Sequence, residues 1–386
     1  MRFPLISRLA CVVALASGPL NAAAPDHTVV FTKGESGYGG IRIPALLVTQ
    51  KGTLLAFAEG RRTLGDQSAN DIILKRSTDG GSTWSALQVV QDDGDHSLNN
   101  PVPVQDARTG RVFVMFQRYP AGLSEFNKGL QPGVTGEAIV KNLLMTSDDE
   151  GATWSAPQDI TATTKRAEKV TTLASGPGIG IQLIAGSHAG RLIVPFNEGP
   201  AGQWNVYAVY SDDGGKTWQM GNNAPGATAP NAKGQMVSRV NEVQMAELSD
   251  GSVMLNTRDE HRTSDCRKTA VSKDGGVTWS DVYEVPQLPA PPCAASLLRY
   301  DAGHLLYSGP DSTKQRHRGA VQLSTDDGKT WSAKRLLEPE WFAYSTLARL
   351  PDGRVGCLYE TGEKGAYEVI RLARFELGWI TASPAP

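Results

Sequence analysis

Short apolar runs broken by polar turns recur along the chain. Ile43 to Thr49 runs into a turn at Gln50-Lys51-Gly52, Thr53 to Ala58 follows, and Asp71 to Arg76 and Ser85 to Val90 complete a group of four strand-like segments. A distant stretch repeats the pattern. There Tyr344-Ser345-Thr346-Leu347, a turn at Pro351-Asp352-Gly353, Val355 to Tyr359 and Glu368 to Phe375 follow one another. Runs of this length bounded by turn residues predict antiparallel strands in a meander.

A second pattern, SxDxGxTW, punctuates the runs five times: Ser77 to Trp84, Ser147 to Trp154, Ser211 to Trp218, Ser272 to Trp279 and Ser324 to Trp331. Asp79, Asp149, Asp213, Asp274 and Asp326 suit the acceptor role inside a turn, Gly81 and its equivalents suit φ > 0, and each Trp packs where the next strand starts. These turns lack the twelfth-position Glu and alternating oxygen ligands of an EF-hand, which separates them from calcium loops. The boxes start 70, 64, 61 and 52 residues apart. A mean near 62 over the roughly 362 residues beyond the N-terminal segment gives six units rather than five, the sixth without a box. Four antiparallel strands repeated six times describe an all-β, six-bladed β-propeller. A two-sheet sandwich of repeated hairpins is the structural alternative. Because strands reverse at each turn, all five boxes fall on one face. The start of strand one, the end of strand two and the start of strand three fall on the other. The loops from Arg61 to Asn70, Tyr119 to Lys141, Asp259 to Arg267 and Pro310 to Arg318 lie on that second rim, where a rigid scaffold presents a site.

Composition narrows the chemistry. With 40% hydrophobic and 20% charged residues the chain is globular, and 41 Gly with 23 Pro favour turns over helices. The formal charge is −2, so broad nucleic-acid or anionic-membrane binding is not expected. At the N-terminus Arg2 and Arg8, the apolar run Leu9 to Ala16 and the small residues Asn21-Ala22-Ala23-Ala24 read as a secretory signal peptide over residues 1–24. The run is too short to span a membrane. A secreted or periplasmic protein with a single domain over 25–386 is expected. Cys11 only faintly suggests lipoprotein cleavage. Cys266, Cys293 and Cys357 are an odd set that cannot all pair within one chain, and neither CxxC nor HExxH spacing occurs, so no metal or cofactor is expected.

Across essentially the whole mature chain the sequence resembles the sialidase (neuraminidase) superfamily, in its bacterial secreted branch of exo-α-sialidases. The resemblance rests on Arg42-Ile43-Pro44, the five Asp boxes, Asn241-Glu242 followed by Arg258-Asp259, Arg316 eight residues before Ser324, Tyr344-Ser345 and Leu358-Tyr359-Glu360. It implies a six-bladed propeller and a retaining hydrolase that removes terminal sialic acids from glycoproteins, glycolipids and oligosaccharides. Arg42, Arg258 and Arg316 match three arginines that clamp the substrate carboxylate, a task that planar guanidinium forks suit. Arg318 is the rival for the third place. Tyr344 matches the nucleophile and Glu242 its base. A neutral phenol avoids the repulsion that a carboxylate nucleophile would meet, but it must lose a proton that it holds to a pKa of about 10. Sialidases with a Tyr nucleophile are an exception to the two-carboxylate scheme of glycoside hydrolysis.

Asp66 matches the general acid/base, with Asp71 as competitor and a capping or turn role more natural for the latter. Glu360 matches the acid that orients the first arginine, with Glu59 as the alternative partner. Arg61 and Asn100 resemble positions near the sugar's 4-hydroxyl and N-acetyl groups. Unit three offers no residue that matches the chemistry, and the Tyr119 to Lys141 loop is long enough to cover the rim. No length remains for an added lectin or immunoglobulin-like module, and a monomer is expected. Transfer to another sugar, and a non-catalytic propeller that binds a glycan or protein, are the competing readings.

Overall fold

In the strand Leu54–Arg61 every residue is buried, which a sheet with one wet face would not require. Leu55 and Phe57 pack with Leu98, Val114 and Phe116 on one side. Leu54, Ala56 and Ala58 pack with Leu358, Ile370 and Leu372 on the other. Successive side chains on a strand point to opposite faces, so this sheet stands between two others, and repetition of that arrangement makes a ring. The computed structural model describes residues 23–126, 129–231 and 233–382. Residues 1–22, which carry nearly all of the expected signal peptide and Cys11, lie outside the described residues.

Six antiparallel sheets, each with four strands along its main path, form the blades of a six-bladed β-propeller. The first blade runs outward through Gly40–Val48, Leu54–Arg61, Asp71–Ser77 and Gln88–Gln91. Its outer strand is shorter than the expected Ser85 to Val90, because the box and the residues after Trp84 turn the chain before pairing resumes at Gln88. Blades two to five follow in chain order. The sixth holds Ser345–Arg349, Val355–Thr361 and Val369–Phe375, and its outer strand is Asp26–Thr32 from the other end of the chain. Asp26 pairs with Arg374 and Thr32 with Val369, which closes the ring. A two-stranded hairpin, Thr228–Pro230 with Met236–Ser238, stands outside the blades between the third and fourth. Among the described residues no helix is long and apolar enough to cross a membrane, and Cys266, Cys293 and Cys357 are free and buried.

Each Asp box follows a third strand and closes on itself. Asp79 Oδ1 accepts from Thr83 N at 2.9 Å and from Ser77 Oγ at 2.8 Å, Asp79 Oδ2 accepts from Thr83 Oγ1 at 2.6 Å, and Ser77 Oγ accepts from Gly81 N at 2.9 Å. The same bonds recur at Asp149 and Asp326. The box tryptophans then reach the core. Trp154 meets Phe57 edge-on at 5.6 Å and Trp218 meets Phe113 at 5.8 Å. Such pairs contribute about 0.5–1.5 kcal/mol beyond area burial.

The glycine two residues before the box Thr is packed closely in every box, and at Gly81 and Gly215 it has no room for a side chain. At Gly215, φ is +84° and a Cβ would stand 2.2 Å from the Phe113 ring, whereas at Gly80 φ is +69° with nothing near. Gly215→Ala is therefore expected to cost on the order of 3 kcal/mol, left-handed strain plus overpacking. Gly80→Ala should cost about 1–2 kcal/mol. Urea denaturation of the two variants checks this, and equal losses would contradict the packing account.

Candidate active site

The inner strands of blades one and two carry the same local device at their upper ends. Between Arg42 and Ala45, and between Asn99 and Val102, the pairing register slips by one residue. Ile43 and Asn100 sit in these bulges with φ of 63° and 54°, each followed by a proline. A β-branched residue in the left-handed region is strained and persists only where its surroundings enforce it. Here the enforcing partner is a buried carboxylate from the neighbouring second strand. Glu360 Oε1 accepts from Ile43 N at 2.9 Å, and Glu59 Oε1 accepts from Asn100 N at 2.7 Å.

These two carboxylates separate the roles of two arginines. Glu360 receives Arg42 Nε and Nη2, both at 3.1 Å, while Nη1 stands 3.7 Å from Asp66 Oδ1. Burial alone would push the Arg42 guanidinium pKa down, but the Glu360 charge more than offsets this and holds it well above its usual value. Glu59 instead holds Arg61, with Nη2 at 2.6 Å, so it is not the partner of Arg42. Arg61 Nη1 reaches on to Asp66 Oδ1 at 2.8 Å. Asp71 lies apart from this group, bonded to Tyr38 Oη at 2.6 Å.

Tyr344, at the mouth of the sixth blade, is the point on which the site converges. Its Oη donates a hydrogen bond to Glu242 Oε1 and accepts one from Arg258 Nη1 at 3.0 Å. The Arg42 and Arg316 guanidinium carbons stand 5.0 and 5.1 Å from the centre of its ring. Arg258 also reaches Glu242 Oε2 at 2.5 Å and Glu260 at 2.5 Å. Arg316 is steered by Tyr367 Oη at 2.8 Å and the Pro292 carbonyl at 2.9 Å, while Arg318 is exposed and faces Asp311 at 3.9 Å. Burial, and next the Glu242 charge, raise the Tyr344 phenol well above its usual pKa, against the pull of Arg258, Arg316 and Arg42. The phenol is protonated at rest. For Asp66, burial favours the neutral acid, but Arg61 and then Arg42 outweigh it and hold the carboxyl below the usual range.

Arg42, Arg61, Asp66, Asn100, Glu242, Arg258, Arg316 and Tyr344 thus line one cavity of about 220 Å³, with Glu360 buried directly behind Arg42. The boxes lie at the opposite ends of the strands. Several lining residues carry no signal in the sequence reading. Blade three does contribute, through Ala174 and the buried Asn197, and the Tyr119 to Lys141 loop supplies Glu125 and Phe126. Glu260 lines the cavity as well, bonded to Arg258 and Asn241, and Tyr367, outside the lining, lies under the Arg42 guanidinium at 4.2 Å. A convergent set of guanidiniums around a phenol–carboxylate pair can bind an anion and move a proton between two oxygens.

Residues 52–357 match the BNR repeat-like domain. Over 90% of its length the chain is 33% identical to Sialidase-2 of Cricetulus griseus, and it covers 94% of that protein. This chain belongs to the sialidase family. It is also 36% identical to a sialidase of Micromonospora viridifaciens, over 100% of this chain and 60% of that protein. A Hadza microbial sialidase shares its fold at a TM-score of 0.77 and 27% identity, over 89% of this chain and 66% of that one. The chain spans about three fifths of the length of its Micromonospora viridifaciens and Bacteroides fragilis sialidase relatives, 60% and 61% respectively.

Proposed function

We propose that this chain is a retaining exo-α-sialidase that hydrolyses terminal sialic acids from glycoconjugates through a tyrosyl-enzyme intermediate. The observation that carries the reading is the Tyr344 hydroxyl, bonded to Glu242 and ringed by three guanidiniums. In the first step the substrate carboxylate docks on Arg42, Arg258 and Arg316. Tyr344 Oη attacks the anomeric carbon and passes its proton to Glu242, while Asp66 protonates the departing glycosidic oxygen. Asp66 is ionised in the empty site. A docked carboxylate offsets the Arg42 charge and displaces water, and both effects raise the Asp66 pKa towards the acid form. In the second step Asp66 takes a proton from water, the hydroxide oxygen bonds to the anomeric carbon, and the Tyr344 oxygen leaves with the proton held by Glu242.

Release of the fluorophore from a fluorogenic α-sialoside by the purified protein tests the activity, and complete inactivity between about pH 4 and 8 would leave a binding module as the better reading. Excess galactoside acceptor separates water from a second sugar: dominant sialylated acceptor would replace hydrolysis by transfer. The carboxylate clamp has its own expected outcome. Charge-assisted hydrogen bonds contribute about 1.5–3 kcal/mol each, so Arg316→Ala should lower kcat/KM by about ten- to a hundredfold. Full activity with an unchanged KM would remove Arg316 from the clamp.

A further inference from the structure

Six carboxyls surround the cavity, and five are committed to arginines. Asp66 and Glu59 pair with Arg61 at 2.8 and 2.6 Å, Glu242 and Glu260 each pair with Arg258 at 2.5 Å, and Glu360 pairs with Arg42 at 3.1 Å. The sixth, Glu125, lines the cavity from the Tyr119 to Lys141 loop and has no ion pair or hydrogen bond among the described residues. With all six ionised they outnumber the four arginines of the cavity, Arg42, Arg61, Arg258 and Arg316. An anionic sugar would then enter a site with excess negative charge. A proton that lowers that excess breaks an ion pair at any of the five paired carboxylates, whereas at Glu125 it breaks none.

We propose that Glu125 takes up a proton as the carboxylate-bearing sugar enters, so that this side chain makes affinity for the substrate fall more steeply with rising pH than the uptake at Asp66 alone would. The inference rests on the sialoside reading of the site. It makes Glu125 a positioning residue rather than a participant in bond making. The groups that face it are Asp66 from the first blade, Glu242, Arg258 and Glu260 from the fourth, and Tyr119 at the foot of its own loop. Burial, and next the Asp66 charge, push the Glu125 carboxyl up to about 7, with Glu260 and Glu242 adding to the rise and Arg258 opposing it. Below that pH the group is neutral and the ligand enters unopposed. Above it the ligand must bring a proton with it, so KM climbs by up to about tenfold per pH unit. The climb belongs to KM and not to kcat, because the occupied site is already protonated.

Two measurements on the intact protein and on Glu125→Gln test this. Across about pH 5.5 to 9 with a fluorogenic sialoside, the wild-type KM should rise more steeply above pH 7 than that of the Gln variant. Calorimetry with free sialic acid at about pH 7.5, in two buffers of different ionisation enthalpy, should find about 0.8 proton more taken up by the wild type than by the Gln variant, whose remaining uptake belongs to Asp66. An equal rise of KM in both proteins, or equal proton uptake in both, would overturn the proposal. A difference in uptake between the two in a protein that hydrolyses nothing would uphold it and sink the hydrolase reading. Hydrolysis with equal uptake in both would do the reverse.

Discussion

Tyr344→Phe is expected to lower kcat at least about a thousandfold, because in the proposed mechanism it removes the attacking oxygen and with it the step on which the other groups act. The ring is buried among Ile43, Cys293, Ala294, Ala343 and Ala366, and Phe fills the same space. Glu242 keeps its bond to Arg258 at 2.5 Å, so no carboxylate is left unpaired. The loss of stability should stay within about 1–2 kcal/mol, the cost of one hydrogen-bonding group. Steady-state kinetics with a fluorogenic sialoside, read beside a urea denaturation curve, separates the two effects. A variant that unfolds easily but turns over normally would make Tyr344 a structural residue.

Glu360→Ala carries the largest expected loss of stability. Glu360 is completely buried and satisfies Arg42 Nε and Nη2 together with the backbone N–H groups of Ile43 and Tyr344. Alanine leaves a buried guanidinium without its counter-charge, which costs about 3–5 kcal/mol, a large share of a typical 5–15 kcal/mol. Glu360→Gln should lose less stability, since its oxygen still accepts while its amide nitrogen faces a guanidinium donor. It should still raise KM, because Arg42 is no longer held at its angle. Denaturation of the two variants checks the order, and a Glu360→Ala protein within about 1 kcal/mol of wild type would contradict it.

What could be read from the sequence follows from how local the bonds are. An Asp box joins Ser77, Asp79, Gly81 and Thr83 within a few residues, so its signature lies in one short window, and five copies fix the repeat. Ring closure joins Asp26–Thr32 to Val369–Phe375 across nearly the whole chain. No short window holds that information, and the sixth unit accordingly shows only three strands in the sequence. Strand polarity was enough to put Arg42, Arg258, Arg316, Tyr344 and Glu360 at one rim. It could not tell that Glu59 serves Arg61 while Glu360 serves Arg42, because both carboxylates end second strands and differ only in which neighbour they face. Glu125 was out of reach for another reason. Its environment is made by Asp66 and by blade four, none of them near it in sequence.

The central claim is that the Tyr344 oxygen bonds to the sugar. A sialoside with fluorine beside the anomeric carbon and a good leaving group slows breakdown of that intermediate, and mass spectrometry of a digest then locates the retained sugar. The account predicts the sugar on the peptide containing Tyr344, with the α anomer as the first product released from an unmodified substrate. A sugar on any other residue, or a β anomer released first, would contradict it.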